Sequence, residues 1–367
     1  MKISRTVRTT RIVLALIAIV LACVTIATAS FASTARNVRA HENTAKAKTP
    51  TIGLVYTETD QNAWQEIAFG AQRAASQAHV KYYSSAPSHL DGPAEVNLFQ
   101  TMTRRAKDGI ALQTLTPALF LRSLNDAARS GIPLVSLDAP PPTGSKVGLF
   151  IGNSNARLGK MLATALLKRV PVNATGEIVI GIDFAGVMPL EQRCKGMISV
   201  IKATRPNVKI VGPLETTAGV TTNYDAWNNI IKAHPHALAF MGPGDQDAVS
   251  LARIQQVTGK KLVAGAADLN PIALLGVKNG YLTALASPEH WLKGYLGIWL
   301  LAQHAKTGKP LPKGWWNSGS LLVTKANVNS IIAREKSNTK RAAWFKKIIA
   351  KQLAHPKAQL KPMKDAS

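Results

Sequence analysis

The sequence predicts an α/β protein built from mainly parallel sheets with helices on both faces, and it predicts two such units in succession. Three observations lead there. Short apolar runs bounded by turn residues alternate with stretches whose apolar residues recur every three or four positions. The alternation runs through once and begins again near Glu177. The chain has 367 residues, of which 46% are hydrophobic, enough for two domains that each bury a core. Strands that alternate with helices must be joined by right-handed crossovers, which place helices over both sheet faces.

Thr51 to Tyr56 is the first strand, and Trp64, Ile67, Ala68, Ala71, Ala75 and Ala78 form the stripe of the first helix. The loop between them holds Glu58, Asp60, Gln61 and Asn62 beside the Trp64 indole. Loops of this kind lie at the carboxyl ends of strands, where open α/β sheets bind ligands. Hydrogen-bonding groups next to an indole suit a polar ligand with one flat apolar face, such as a pyranose. The same residues also fit a helix cap at Asp60 or Asn62 with Trp64 in the core. Strands at 80–84, 109–113, 133–137 and 147–151 come next, separated by helices at 95–107 and 117–129. A helix at 157–168 then opens the second unit, with strands at 177–182, 209–213, 237–241, 261–266 and 282–286 and helices at 189–203, 223–233, 247–258 and 271–279. A long helix at 290–306 and a strand at 321–324 close the pattern.

The formal charge is +25, and the ends carry much of it. Residues 1–41 contribute +6 with no acid, and residues 331–367 contribute +8. No dense basic cluster or nucleic-acid motif occurs in the middle, so no specific nucleic-acid partner is implied. Basic Lys2 to Arg11 followed by apolar Ile12 to Ala22 has the form of an export signal or anchor over residues 1–29. Three fates are open for it: cleavage at Ala27-Thr28-Ala29, lipid attachment at Cys23 within Val20-Leu21-Ala22-Cys23, or retention. Residues 30–49 read as a tether. Residues 331–367 form a basic amphipathic tail, with Trp344, Phe345, Ile348, Ile349 and Leu353 on one helical face, suited to packing on the body or lying on a membrane surface. Cys194 has no partner once Cys23 is removed or lipidated, so no intramolecular disulfide is expected.

Taken together, the strand opening TIGLVY, the loop 57–64, Leu137-Asp138-Ala139, Ile151-Gly152-Asn153 with Gly159, Arg193 three residues before Gly196-Met197, Phe240 to Asp245, Asp268-Leu269-Asn270-Pro271, and Ala286-Ser287-Pro288 resemble the type I periplasmic binding proteins of the sugar-binding branch. The resemblance spans about Thr51 to Asn327. It implies two Rossmann-like lobes with parallel sheets, joined by a three-strand hinge near Asn153, Ser287 and Asn317. One lobe would be 50–153 plus 288–317, and the other 154–287 plus 318–330. It further implies a ligand enclosed between the lobes by hinge closure, with contacts from Asn62, Trp64, Asp138, Asn153, Arg193, Tyr224 and Asp268. In the family's terms Asn62 and Trp64 are the first-loop hydrogen-bonder and stacking ring, Arg193 reaches a ring oxygen, Tyr224 stacks from the second lobe, and Asp268 bridges two hydroxyls. Two departures stand out. Gly242-Pro243-Gly244-Asp245 replaces an Asn-Asp pair, and Ser287, followed by Glu289, His290 and Trp291, replaces a hinge Gln. Asp138 could instead order the Pro140-Pro141-Pro142 turn, Asp268 could cap the helix at Pro271, and Asp245 and Asp247 fit a helix start.

The implied role is capture of a sugar-like solute outside the cytoplasm by a monomer that delivers it to an ABC permease. A sensor feeding a receptor kinase or chemoreceptor, and a polyanion-binding envelope protein, are the alternatives. The sequence has no nucleophile elbow, phosphate loop or zinc signature, so no enzyme, cofactor or metal is implied.

Overall fold

The computed structural model describes residues 48–366, and a compact unit begins at Pro50. The export segment with Cys23, and all of the tether before Lys48, lie outside the described residues. Among those described, no helix is long and apolar enough to cross a membrane.

Two sheets organise the fold. The first contains β1 (Thr51–Val55), β2 (Lys81–Ser85), β3 (Ile110–Gln113), β4 (Leu134–Leu137), β5 (Leu149–Gly152), β11 (Gly314–Asn317) and β13 (Leu360–Lys361) in the order β13-β11-β5-β4-β3-β1-β2. The second contains β6 (Gly176–Ile182), β7 (Val208–Glu215), β8 (Ala239–Gly242), β9 (Ala264–Ala267), β10 (Ala284–Ser287) and β12 (Leu321–Thr324) in the order β12-β10-β9-β8-β6-β7. Within each sheet all pairings are parallel except that of the last strand, β13 on β11 or β12 on β10. The central strands are buried along their whole length, as parallel strands covered on both faces must be.

The helices are α1 (Asn62–Gln77), α2 (Gly92–Arg105), α3 (Leu121–Arg129), α4 (Asn155–Leu167), α5 (Met188–Thr204), α6 (Val220–Ala233), α7 (Asp245–Thr258), α8 (Pro271–Asn279), α9 (His290–Thr307), α10 (Val328–Glu335) and α11 (Asn338–Ala354). Two glycine-mediated crossings pack the helices beside the site. In one, a Cβ on Gly70 of α1 would lie 1.9 Å from the Trp291 carbonyl oxygen of α9, and one on Gly294 would lie 2.0 Å from that of Ile67. In the other, a Cβ on Gly159 of α4 would lie 1.9 Å from the Arg193 carbonyl oxygen and one on Gly196 of α5 would lie 2.1 Å from that of Ala156. Only a residue without a side chain lets the backbones approach so closely.

Three passages between the sheets fall after Gly152 into α4, after Ser287 into α9, and after Asn317 into β12. The short strand β11, missed by periodicity because Trp315-Trp316 gives no alternation, supplies the third passage. A fourth passage is made by the carboxyl-terminal region. Val328 and Ile331 of α10 join the core of the second sheet, whereas Phe345 and Ile349 of α11 join that of the first. The inward face of α11 is held by a ring stack: Phe345 lies 5.1 Å from Trp291, and Trp291 5.3 Å from Tyr295.

Candidate binding site

A narrow cleft lies between the carboxyl ends of the two sheets. The first sheet lines it with Glu58, Trp64, Leu115 and Asp138, and the second with Asp183, Phe184, Arg193, Gly244, Asp245 and Asp268.

The two halves are built alike. Asp138 follows β4 and Asp268 follows β9, each the fourth strand of its repeat. Their amides donate to the next strand in the same way, Asp138 to Ile151 O and Asp268 to Ala286 O, both at 2.9 Å. Both take left-handed backbone angles, φ 67° and 71°, as does Glu289 at 57° where the chain leaves β10. Non-glycine residues adopt this region rarely, Asp more readily than Glu, and such strain collects at functional sites.

A buried polar network joins the halves. The Arg193 guanidinium donates through Nη1 to Asp268 Oδ2 at 3.2 Å and to Pro243 O at 2.7 Å, and through Nε to Asn155 Oδ1 at 3.0 Å. Asn153 Nδ2 donates to the same Asn155 oxygen at 3.2 Å. His290 Nε2 donates to Asp268 Oδ1 at 2.9 Å, while its Nδ1 lies 3.6 Å from Asp138 Oδ1. The fully buried Lys293 ammonium donates to Asp138. Burial alone would raise the Asp138 carboxyl; Lys293, His290 and Arg193 outweigh it and hold the group below the ordinary carboxylate range. Burial likewise opposes Arg193 and His290 at Asp268, and the cations again win. Lys293 is drawn down from the ordinary lysine value by burial, against the pull of Asp138.

Other acids in the cleft lack such partners. Asp183, Asp245 and Glu58 are all buried, each has a carboxylate oxygen without a hydrogen-bond donor, and none forms an ion pair among the described residues. Burial pushes the Asp245 carboxyl up to about 7, aided by Asp268. Asp183 is driven well above the ordinary range by burial and by Asp247 and Asp268. Among the described residues there is no cluster that could hold a metal ion.

The sequence-predicted residues divide into two groups. Trp64, Asp138, Arg193 and Asp268 line the cleft, with Asn153 buried directly beneath it beside Asn155. Asn62 does not line it: its amide donates to Glu66 Oε1 at 3.2 Å. Tyr224 packs against the core of the second sheet, and the ring that faces the cleft from that side is Phe184. Asp268 does not cap α8, because the Asn270 side chain accepts from Ile272 N there at 3.0 Å. Asp247 is structural, accepting from Thr216 Oγ1, Trp227 Nε1 and Gly244 N. Asp245, expected only to support the helix start, reaches the cleft. Lys293, Asp183 and Asn155 were missed outright. The signal for Lys293 was a lone cation inside an apolar helix, and for Asp183 an acid at the end of a buried strand.

Two lobes of equivalent topology with a buried polar cleft between them define a solute-binding architecture. Residues 52–310 match the family model for the periplasmic binding protein domain, and the chain belongs to that family. It is 25% identical over 259 residues to the D-allose-binding periplasmic protein of Escherichia coli strain K12, covering 68% of this chain and 82% of that protein. It is 23% identical over 280 residues to the xylose/arabinose-binding protein of Sulfolobus acidocaldarius, covering 71% of this chain and 67% of that protein. Among solved structures, an ABC transporter solute-binding protein from Burkholderia graminis in complex with D-arabinose superposes with a TM-score of 0.71 at 23% identity, over 78% of this chain and 98% of that one. A glucose-galactose binding protein from Geobacillus stearothermophilus gives 0.68 at 22% identity, over 76% and 99%. The fold is therefore that of the type I sugar-binding proteins. Family membership makes this an exported binding protein and not an enzyme.

Proposed function

We propose that this protein captures a sugar or sugar-like small polar solute between its two lobes and presents it, with the lobes closed, to an ABC permease. The observation that carries the reading is the Arg193–Asp268–His290–Asp138–Lys293 network, because it is drawn from both lobes and fixes charged hydrogen-bonding groups at the cleft. Charged groups bond ligand hydroxyls about twice as strongly as neutral ones, and a buried partner left unpaired is costly, which gives specificity. Trp64 and Phe184, from opposite walls, offer apolar faces to the C–H side of a ring. A ligand touching both walls favours the closed form.

The permease lies in the membrane, and the outer face of α11 is shaped for the neighbourhood of one. Lys340, Trp344, Lys347, Ile348 and Lys351 are all exposed on one side of that helix, which contains no acid. We assign this face to contact with the anionic membrane surface. Co-sedimentation with vesicles containing a quarter phosphatidylglycerol should retain the protein and release it at high salt; equal retention of Lys340→Glu/Lys347→Glu would reject the assignment. For the capture function the test is thermal unfolding against pentoses, hexoses, polyols and their charged derivatives, since a ligand that binds only the folded state raises the midpoint. A hit weakened by both Trp64→Ala and Asp268→Ala supports the reading. A midpoint that no such compound moves, while nucleosides or amino acids do, removes the sugar assignment.

A further inference from the structure

The capture reading leaves the charge of the solute open, and the cleft itself constrains it. We infer that the solute carries a protonated amine, and that the amine is bound on the side of the cleft lined by Asp183 and Asp245.

The cleft is lined by the acids Glu58, Asp138, Asp183, Asp245 and Asp268 against the single cation Arg193. Two of these acids are already paired, Asp138 with Lys293 and Asp268 with Arg193 and His290. The other three have no ion pair among the described residues, although Glu58 is 5%, Asp183 6% and Asp245 2% exposed. Each also presents an oxygen that no hydrogen-bond donor reaches: Glu58 Oε1, Asp183 Oδ1 and Asp245 Oδ1. The contrast with the rest of the chain is sharp, because Lys and Arg outnumber Asp and Glu 45 to 20 overall. A protein with so many cations has left this cleft nearly without them.

The arrangement of Asp183 is specific. It emerges from β6, and its carboxylate occupies the space where Gly244 would carry a Cβ: the nearest oxygen lies 1.8 Å from that position. Any other residue at 244 would displace the acid. The glycine therefore holds Asp183 against the start of α7, whose first residue is Asp245; Asp245 Oδ2 accepts from Asn270 Nδ2 at 3.2 Å while Oδ1 is buried without a donor. The usual stabiliser of buried carboxylates is a cation in contact or several donors; Asp245 has the one donor Asn270, and Arg193 acts on Asp183 only without an ion-pair contact. Burial and the neighbouring carboxylates drive the titration of both groups upward, and a cation bound beside them would oppose that. A neutral sugar would offer hydroxyl donors to these oxygens, whereas an ammonium, with three donors and a positive charge on one centre, would also stabilise their ionised form.

The inference rests on the capture reading, and the experiment separates the two. Titration calorimetry at pH 7 on the full chain would use matched sets: D-glucosamine, D-glucose and N-acetyl-D-glucosamine, the corresponding galactose and mannose compounds, and 1-amino-1-deoxyglucitol against glucitol. At least one amine should bind ten-fold or more tightly than both its hydroxyl and its N-acetyl counterpart. Asp183→Asn and Asp245→Asn should each lower the affinity for the amine by at least ten-fold more than the affinity for its neutral counterpart; an equal loss for both would overturn the amine. A neutral member that binds as tightly as its amine overturns the amine and leaves capture of a sugar standing. Silence from every amine also overturns it, and silence from the neutral members as well counts against the sugar reading. Should Asp183→Asn fail to fold, Asp245→Asn and Glu58→Gln carry the same comparison.

Discussion

Lys293 occupies a place that ordinarily repels cations. It lies in the first turn of α9, where the helix dipole is positive, and it is fully buried. His290 begins the same turn. Their partners, Asp138 and Asp268, explain both. Replacing Lys293 by Met keeps the volume but strands the Asp138 carboxylate, so denaturant unfolding should show a loss of about 3–5 kcal/mol. Adding Asp138→Asn to Lys293→Met should return a large part of it; an additive second loss would mean that the pair is not the reason Lys293 is there. Asp245 gives a prediction of opposite sign. Its carboxyl ionises near 3.8 in the unfolded chain and near about 7 in the folded one, beside Asp268 and Asp247. Between those values the folded state holds more protons, so this contribution to the stability of the ligand-free protein is full below about pH 4 and declines as pH rises toward 7. Thermal midpoints of Asp245→Asn should fall less than wild type across that window. At this scale the sequence disclosed the acids and the arginine, because charged residues at strand ends stand out. It concealed Lys293 and Asp183, whose roles depend on partners 155 positions away in one case and on a glycine's empty space in the other.

Elements hold these residues in place through backbone contact more than through side chains. Arg193 sits on α5 where its own carbonyl meets Gly159, and Lys293 sits on α9 one residue before Gly294. Gly159→Ala should force α4 and α5 apart at a cost of about 1–3 kcal/mol. It should also weaken ligand binding, because the arginine moves with its helix; unchanged affinity would show that the crossing does not set the site. The tail was legible as an amphipathic helix but its destination was not. Its inner face completes the core of the first lobe: Trp316 Nε1 donates to Gln352 Oε1 at 2.9 Å, Trp291 Nε1 to Asn338 Oδ1 at 2.6 Å, and Phe345 is buried. Arg334, bridging Glu289 at 3.0 Å and Glu335 at 2.5 Å, ties the passage together. Phe345→Ala should therefore destabilise the whole unit by about 3–5 kcal/mol, read from cooperative unfolding. A loss confined to the tail would indicate an independent appendage.

At the scale of the molecule, two repeats of one topology face each other, with the chain passing between them at Asn153, Ser287 and Asn317. The repeat was visible in the sequence as a rhythm that restarts. The equivalence of Asp138 and Asp268 was not, because it rests on matching backbone angles and hydrogen bonds. The proposed capture has a single solute held by both lobes at once. The most direct test is titration calorimetry of the solute that raises the unfolding midpoint most, comparing wild type with Trp64→Ala on one wall and Arg193→Ala on the other. One solute should bind per chain, and each variant alone should lose ten-fold or more in affinity. Binding that survives the loss of either wall would contradict capture between the lobes.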